Sequence, residues 1–364
     1  MSQKVRVGVI GTSWYADLMH LPALQSHPQA ELAAICGRNQ ERAKEVATKY
    51  GSPNTYNDFR KMITEHHLDA VIIATPDELH YEMTMAALEA GLHVLCEKPL
   101  AMNAGQAWEM AKKAESAGVK HMVYFTYRWM PFYQYVHNLI GRGYIGHCYH
   151  CEFRYPMGYG RNQEYIWRFD HERANGVLGD LGSHMIDLAR WLVGDITSVS
   201  AQLGVFVDRP GADGGVIDPA NDSAILQVKF ANGAQGTIQA SAVAHIADRA
   251  SQQQIKLYGE AGSLETDLIH GGSETRALIR AARSQDEQFQ TLEVPESYWG
   301  DANSSDNISI WSKNSVGTRA FIDAIQKNRN VEPNFYDGYK AQQVIDAALA
   351  SHESGCAVNI DNSL

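Results

Sequence analysis

The sequence predicts an α/β domain on a parallel sheet, followed by an α+β domain whose sheet is mostly antiparallel. Three observations carry this reading. Val71–Leu100 reads as strand, helix, strand, the unit of a parallel sheet. Val5–Ile10 is a short apolar strand running into a glycine turn and a helical pattern. From Cys148 onward, alternating strands replace that pattern.

In the first stretch, VIIATPDELHYEMTMAALEAGLHVLCEKPL, an apolar run opens the segment and His93–Cys96 forms a second. Tyr81–Ala90 carries apolar residues at helical spacing, and Gly91 stands where a helix would stop. The strands finish on Ala74-Thr75-Pro76 and Glu97-Lys98-Pro99. Ligands of open parallel sheets lie beyond the carboxyl ends of the strands. Thr75, Glu97 and Lys98 are therefore expected to point into one cleft.

At the N-terminus, Val5–Ile10 leads into Gly11-Thr12-Ser13-Trp14-Tyr15-Ala16 and a helix through Leu24. A dinucleotide turn reads Gly-x-Gly-x-x-Gly/Ala, with pyrophosphate at the helix N-terminus. Gly11 and Ala16 fill the outer positions and Ser13 replaces the middle glycine; a tight turn without a nucleotide is the competing reading. The next strand, Glu31–Cys36, ends at Gly37-Arg38-Asn39, with Arg42 following. NAD enzymes usually place an acid about 20 residues after the glycine turn, on the ribose 2′-hydroxyl. Gly37 occupies that place here, and Arg38 suits the 2′-phosphate of NADP. Arg38 stacking on adenine, with NAD bound, is the alternative.

A helix over Ala104–Ala117 ends at Gly118, and Val119–Phe125 is a further strand. The domains are expected at 1–125 and 126–364. A helix starts near Tyr127-Arg128-Trp129-Met130-Pro131. Strands follow at Tyr149–Tyr155, Val199–Val207, Ser223–Phe230, Ala234–Ala242 and Gln254–Tyr258, with Asn232-Gly233 as a hairpin signal. Ser273–Asn307 reads as a polar, irregular surface excursion, and Thr318–Gln326 and Tyr336–Ser351 as closing helices.

The whole chain has 364 residues, 45% hydrophobic and 20% charged, an ordinary globular composition. Its net charge of −11 argues against nucleic acid, whose partners show a basic footprint. No apolar run approaches the ~20 residues that span a bilayer, and the first, Val5–Ile10, is far too short for the apolar core of a secretory signal and reads as a strand. Five scattered cysteines do not form a disulfide framework. These observations predict a cytoplasmic protein with no membrane partner.

Chemistry concentrates in two places. In Asp180–Leu192, DLGSHMIDLARWL, helical spacing places Asp180, His184 and Asp187 on one face, beside an apolar stripe of Leu181, Met185, Leu188 and Leu192. A histidine beside a carboxylate is a general acid/base candidate; the alternative is simple helix capping, with Asp180 as N-cap. Lys98 stands between a buried strand and a proline, where an ammonium can stabilise an alkoxide formed as hydride leaves. A salt bridge to Glu97 is its competing role. His147-Cys148-Tyr149-His150-Cys151 has Cys-x₂-Cys spacing suggestive of zinc, but no second pair follows, and strand alternation sends 148 and 151 to opposite faces. No metal is expected.

These motifs, together with His80 and with Ala90-Gly91-Leu92-His93-Val94 leading to Glu97-Lys98-Pro99 and Gly179-Asp180-Leu181-Gly182-Ser183-His184, resemble the glucose–fructose oxidoreductase / inositol dehydrogenase / rhizopine catabolism (Gfo/Idh/MocA) family. The resemblance runs from the first strand to the C-terminal helix. It implies a Rossmann domain followed by an α/β domain with a large open-faced sheet. It also implies NAD(P)-dependent oxidation or reduction of a sugar, polyol or related carbonyl. By motif position, Lys98, Asp180 and His184 are the implied catalytic set, with Thr75, Pro76 and Glu97 lining the nicotinamide half.

The cofactor set is Gly11, Thr12, Ser13, Trp14, Tyr15, Arg38, Ala74, Thr75, Pro76, His80, Glu97 and Lys98. Ser13 departs from the family pattern, and so does Thr126, where many relatives carry asparagine. Trp167-Arg168 resembles a family feature near cofactor and substrate. Tyr127, Arg128, Arg154, Tyr155, Trp167 and Arg168 are expected near the substrate, because aromatic and guanidinium groups suit a hydroxylated, neutral ring; an acidic sugar, which the arginines would also suit, is the alternative. NADP is the expected cofactor, with NAD as the alternative. A homo-oligomer, dimer or tetramer, is expected from the resemblance, through an apolar-rich open sheet face. A non-catalytic nucleotide-binding sensor on the same fold is the competing function; the presence of Lys98, Asp180 and His184 together favours the enzyme.

Overall fold

The computed structural model describes residues 3–65, 67–300, 302 and 316–361. The chain forms two compact units: Met1–Trp129 with Trp299–Lys340, and Met130–Tyr298 with Ala341–Leu364.

The first unit is built on six parallel strands: β1 (Val5–Ile10), β2 (Ala30–Cys36), β3 (Thr55–Tyr56), β4 (Ala70–Ile73), β5 (His93–Glu97) and β6 (His121–Tyr124). Their order, β3-β2-β1-β4-β5-β6, is that of a doubly wound dinucleotide-binding sheet. Helices cover both faces, so β1, β4 and β5 read as nearly continuous apolar runs. A helical run over 14–26 contains a π-turn at Ala16–His20 and ends in α1 (Leu21–Ser26). The remaining helices here are α2 (Gln40–Tyr50), α3 (Phe59–Glu65), α4 (His80–Glu89) and α5 (Ala104–Ala117). α5 begins where the Asn103 side chain accepts from the Gln106 N–H, and it stops at Gly118, φ 66°.

The second unit carries α6 (Pro131–Gly141), β7 (Cys148–Pro156), a π-turn at Leu178–Gly182 and α7 (Ser183–Leu192). Then come β8 (Ile196–Gly204), β9 (Ser223–Phe230), β10 (Gln235–Ser241), β11 (Ser251–Gly259), β12 (Gly262–His270), β13 (Arg276–Arg283), β14 (Gln290–Leu292) and, near the C-terminus, β15 (Val358–Asn359). They form a nine-stranded sheet, β14-β13-β12-β11-β7-β10-β9-β8-β15, antiparallel except for the β7–β10 pair. The Leu181, Met185, Leu188 and Leu192 stripe is buried, and α7 packs on β7 and β10.

Several expectations change. Ser273–Asn307 is not an irregular excursion: β13 and β14 lie inside it, while 303–307 fall outside the described residues. Charged residues at the outward positions of RALIRAAR hide its alternation. The open sheet face is polar, not apolar-rich: Lys256 pairs with Glu152 at 3.3 Å, Arg276 with Asp267 and Arg280 with Glu265. Cys148 and Cys151 are both buried, because the β7–β11 register skips Tyr149 and this bulge turns both thiols to one side.

Near its C-terminus the chain returns to the first unit. Two helices, α8 (Val316–Gln326) and α9 (Phe335–Ser354), follow β14. Phe321 and Ile322 of α8 complete the core of the first unit with Val7, Val9, Ile35 and Leu95. α9 runs from the first unit into the second.

Candidate active site

In the first unit, the site lies at the carboxyl ends of β1, β4 and β5. Gly11 has φ +115°, and a Cβ there would stand 2.3 Å from the Ala74 carbonyl oxygen. Only glycine lets the β1 turn lie against the end of β4. Ser13, in place of the middle glycine, accepts from the Ala16 N–H at 3.3 Å and so braces the first helical turn. Trp14 is 66% exposed beside it. Tyr15 and Thr126 share a 2.6 Å hydrogen bond. Gly37 packs directly on Thr12: a Cβ at 37 would lie 2.7 Å from Thr12 Cγ2. Arg38 is exposed just past β2, and Arg42 is held by Asp17 at 3.2 Å. A glycine cradle, a helix N-terminus and an exposed guanidinium beyond the second strand fit a dinucleotide.

Two expected cofactor residues point inward instead. Glu97 is buried, its Oε1 2.8 Å from His20 Nε2, and His20 Nδ1 lies 2.8 Å from Thr318 Oγ1. Its Oε2 accepts from the Lys98 N–H at 3.3 Å. The carboxylate therefore shapes the Lys98 segment from behind rather than facing the cleft with Thr75 and Lys98, which are partly exposed. His80 is fully buried, and its ring nitrogens meet the Pro99 and Thr75 carbonyls at 2.8 and 3.0 Å. It holds loops and does not reach the surface. The sequence reading missed His20 and Thr318, because no local pattern links residues 298 positions apart.

Arg128 is likewise withdrawn from the expected substrate set. It is buried in a 3₁₀ turn over Thr126–Trp129 and pairs with Asp337 at 3.1 Å. Its neighbour Tyr127 is buried too.

In the second unit, the site collects on the side of β7 that faces α7. Asp180 is not an N-cap: it lies inside the π-turn, and Gly182 precedes α7. The extra residue of a π-turn breaks the i, i+4 register from which 180 and 184 were placed on one face. Asp180 is oriented by two other groups. Tyr159 Oη donates to its Oδ2 at 2.7 Å, and Arg168 Nε lies 3.1 Å from its Oδ1. Burial first, then the neighbouring Asp180 charge, hold the Tyr159 phenol well above its usual range, so it remains a donor. Arg168 stacks on Trp167 with its guanidinium 4.4 Å from the ring centroid. His184 is 7% exposed and Asp187 1%, and the Tyr155 ring lies 6.3 Å from that of His184.

Arg154 does not join them. Strand alternation sends it to the open face, where it donates to Gln254 at 3.3 Å, while Tyr155 turns inward. Tyr159 went unnoticed because it lies in a loop without periodicity. Among the described residues, no group of three or more His, Cys, Asp or Glu side chains is arranged to hold a metal ion.

The doubly wound sheet, the glycine cradle and the lysine at the β5 edge define a nicotinamide-dependent oxidoreductase with an appended α/β domain. Two family models divide the chain in that way: "Oxidoreductase family, NAD-binding Rossmann fold" matches residues 5–125, and "Oxidoreductase family, C-terminal alpha/beta domain" matches 137–360. The chain belongs to the Gfo/Idh/MocA oxidoreductase family. Levoglucosan dehydrogenase of Pseudarthrobacter phenanthrenivorans is 31% identical over 87% of this chain and 86% of its own length. D-xylose 1-dehydrogenase (NADP(+)) 2 of Haloferax volcanii is 27% identical over 97% and 99%. The solved structure of a levoglucosan dehydrogenase in complex with NADH and levoglucosan superposes with a TM-score of 0.89 at 28% identity, covering 99% of this chain and 100% of that one.

Proposed function

We propose that the protein is a dehydrogenase or reductase that transfers hydride between NADP and a neutral sugar, polyol or related cyclic hydroxyl compound. The observation that carries the reading is the β5 edge: Lys98 emerges between a buried Glu97 and Pro99, beside Thr75, on the dinucleotide-binding sheet. The relatives that act on levoglucosan and D-xylose support the substrate class. A bound nicotinamide supplies the hydride chemistry; the residues of the chain bind, orient and move a proton.

In oxidation, Lys98 stabilises the developing alkoxide and His184 takes the hydroxyl proton, or Lys98 is itself the base. Asp180 orients substrate hydroxyls, with Arg168, Trp167 and Tyr155 supplying a guanidinium and apolar ring faces. The preference for NADP rests on Gly37 standing where an acid would contact the ribose, followed by the exposed Arg38.

Five free cysteines support a reducing, cytoplasmic location, and no described helix is long and apolar enough to cross a membrane. A homo-oligomer remains part of the reading. It rests on the resemblance alone, because the charged open face of the nine-stranded sheet lacks the apolar surplus of homodimer interfaces. Light scattering at micromolar concentration showing only monomer would remove it.

The test is turnover on a panel of sugars and polyols with NADP and NAD, then with Lys98→Ala and His184→Ala. Loss of a positioned acid/base lowers turnover ~10² to 10⁴-fold, and cofactor affinity is measured alongside. Two variants that both keep near-normal turnover overturn the catalytic assignment.

A further inference from the structure

His80 opens α4 and is fully buried, yet each of its ring nitrogens faces a carbonyl oxygen: Nδ1 that of Pro99 at 2.8 Å, and Nε2 that of Thr75 at 3.0 Å. Carbonyl oxygens only accept hydrogen bonds. A neutral imidazole has one N–H and one lone pair, so one of these contacts would set lone pair against lone pair away from water. The doubly protonated ring satisfies both. One acceptor belongs to the segment after β4 that bears Pro76; the other belongs to the residue that follows Lys98.

We propose that His80 is a positioning residue for hydride transfer, an imidazolium clamp that ties Thr75 to Pro99 and thereby fixes Lys98. The proposal rests on Lys98 being catalytic. Burial works to lower the affinity of the ring for its proton, but Cys96 beside it and the Pro99 and Thr75 carbonyls outweigh burial and push it up to about 9. Cys96, from β5, is the titratable group that bears on the ring. On its own helix, the exposed Glu82 is paired with Arg60, and on α5, Glu109 is occupied by the Tyr81 hydroxyl.

The clamp predicts a spectroscopic signature in the full-length wild-type protein. Nitrogen NMR of ¹⁵N-histidine side chains at pH 7.5 should show one ring with two protected N–H groups. The second N–H should be lost only as the pH passes about 9. The signature should vanish in His80→Gln, whose amide can donate to one carbonyl but not to both. That variant should lower kcat about 10- to 100-fold, the effect of a reacting group displaced by about 1 Å. His80→Asn serves for assignment if the glutamine variant does not fold.

A neutral-tautomer spectrum at pH 7.5 overturns the clamp, and so does a folded His80→Gln enzyme with unchanged kcat. If Lys98→Ala keeps full turnover, the catalytic reading fails instead, while the spectrum still reports on His80.

Discussion

The Tyr159 hydroxyl donates to Asp180 Oδ2 at 2.7 Å, while Arg168 holds the other carboxylate oxygen at 3.1 Å. Asp180 is therefore oriented at both carboxylate oxygens, by a phenol that stays protonated and by a guanidinium stacked on Trp167. Such a carboxylate is suited to accepting hydrogen bonds from hydroxyls; in the proposed reaction the proton moves to His184 or Lys98.

Tyr159→Phe tests this division of labour. The variant keeps the ring, which stacks on Phe169 with centroids 5.7 Å apart, and removes only the donor. A hydrogen bond to a charged group contributes about 1.5–3 kcal/mol, so kcat/KM should fall roughly 10- to 100-fold through a rise in substrate KM. Cofactor affinity, which belongs to the first unit, should not change. Steady-state kinetics alongside equilibrium NADP(H) binding checks it; a variant with unaltered KM would show that the hydroxyl does not position Asp180 for substrate.

Thr12 and Gly37 set up a second prediction. Because a Cβ at 37 would lie 2.7 Å from Thr12 Cγ2 and 3.0 Å from its Oγ1, an acid cannot simply be introduced there. Threonine is branched at Cβ and stiff, so the clash is not relieved by a small rotation. Gly37→Asp alone should weaken NADP binding without producing tight NAD binding. Gly37→Asp with Thr12→Gly should bind NAD in preference to NADP, since the carboxylate then has room and repels a 2′-phosphate. Dissociation constants for both cofactors decide the matter. Tight NAD binding by Gly37→Asp alone would show that Thr12 is no obstacle.

What could be read in the sequence follows from how each element is buried. The β4–α4–β5 unit was legible almost to the residue, because parallel strands covered on both faces become apolar runs and Gly91, φ +74°, ends the turn after α4. α5 was legible to both ends, with Gly118 marking its stop. The outer strands of the large sheet were not, since half their residues face the open side and carry charge. The inward turn of Glu97 and His80 was also hidden: their partners are a helix histidine, a neighbouring backbone N–H and two backbone carbonyls, none of which leaves a periodic trace. The π-turns at Ala16–His20 and Leu178–Gly182 shift register by one residue where function concentrates, and a 3.6-residue reading slips there.

Two histidines of the first unit set a final prediction, on the pH dependence of stability. Burial pushes His121 down to about 4, with Glu115 and Asp337 only partly opposing it, and its Nδ1 accepts from the Phe335 N–H at 3.1 Å, a bond that protonation would break. The unfolded chain takes up this proton near pH 6.5 and the folded chain does not. The contribution of His121 is therefore present above pH 6.5 and lost as the pH falls toward 4. His80 has the opposite sign. Its folded value of about 9 lies above the unfolded one, so its contribution is complete below pH 6.5 and is lost as the pH rises toward 9. Each group can tilt the unfolding free energy by up to about 1.4 kcal/mol per pH unit within its window. Urea unfolding followed from pH 5 to 9.5 should flatten on the acid side in His121→Asn, which can still accept from Phe335. It should flatten on the alkaline side in His80→Gln. If either variant keeps the wild-type slope in its own window, that histidine does not carry the pH dependence assigned to it.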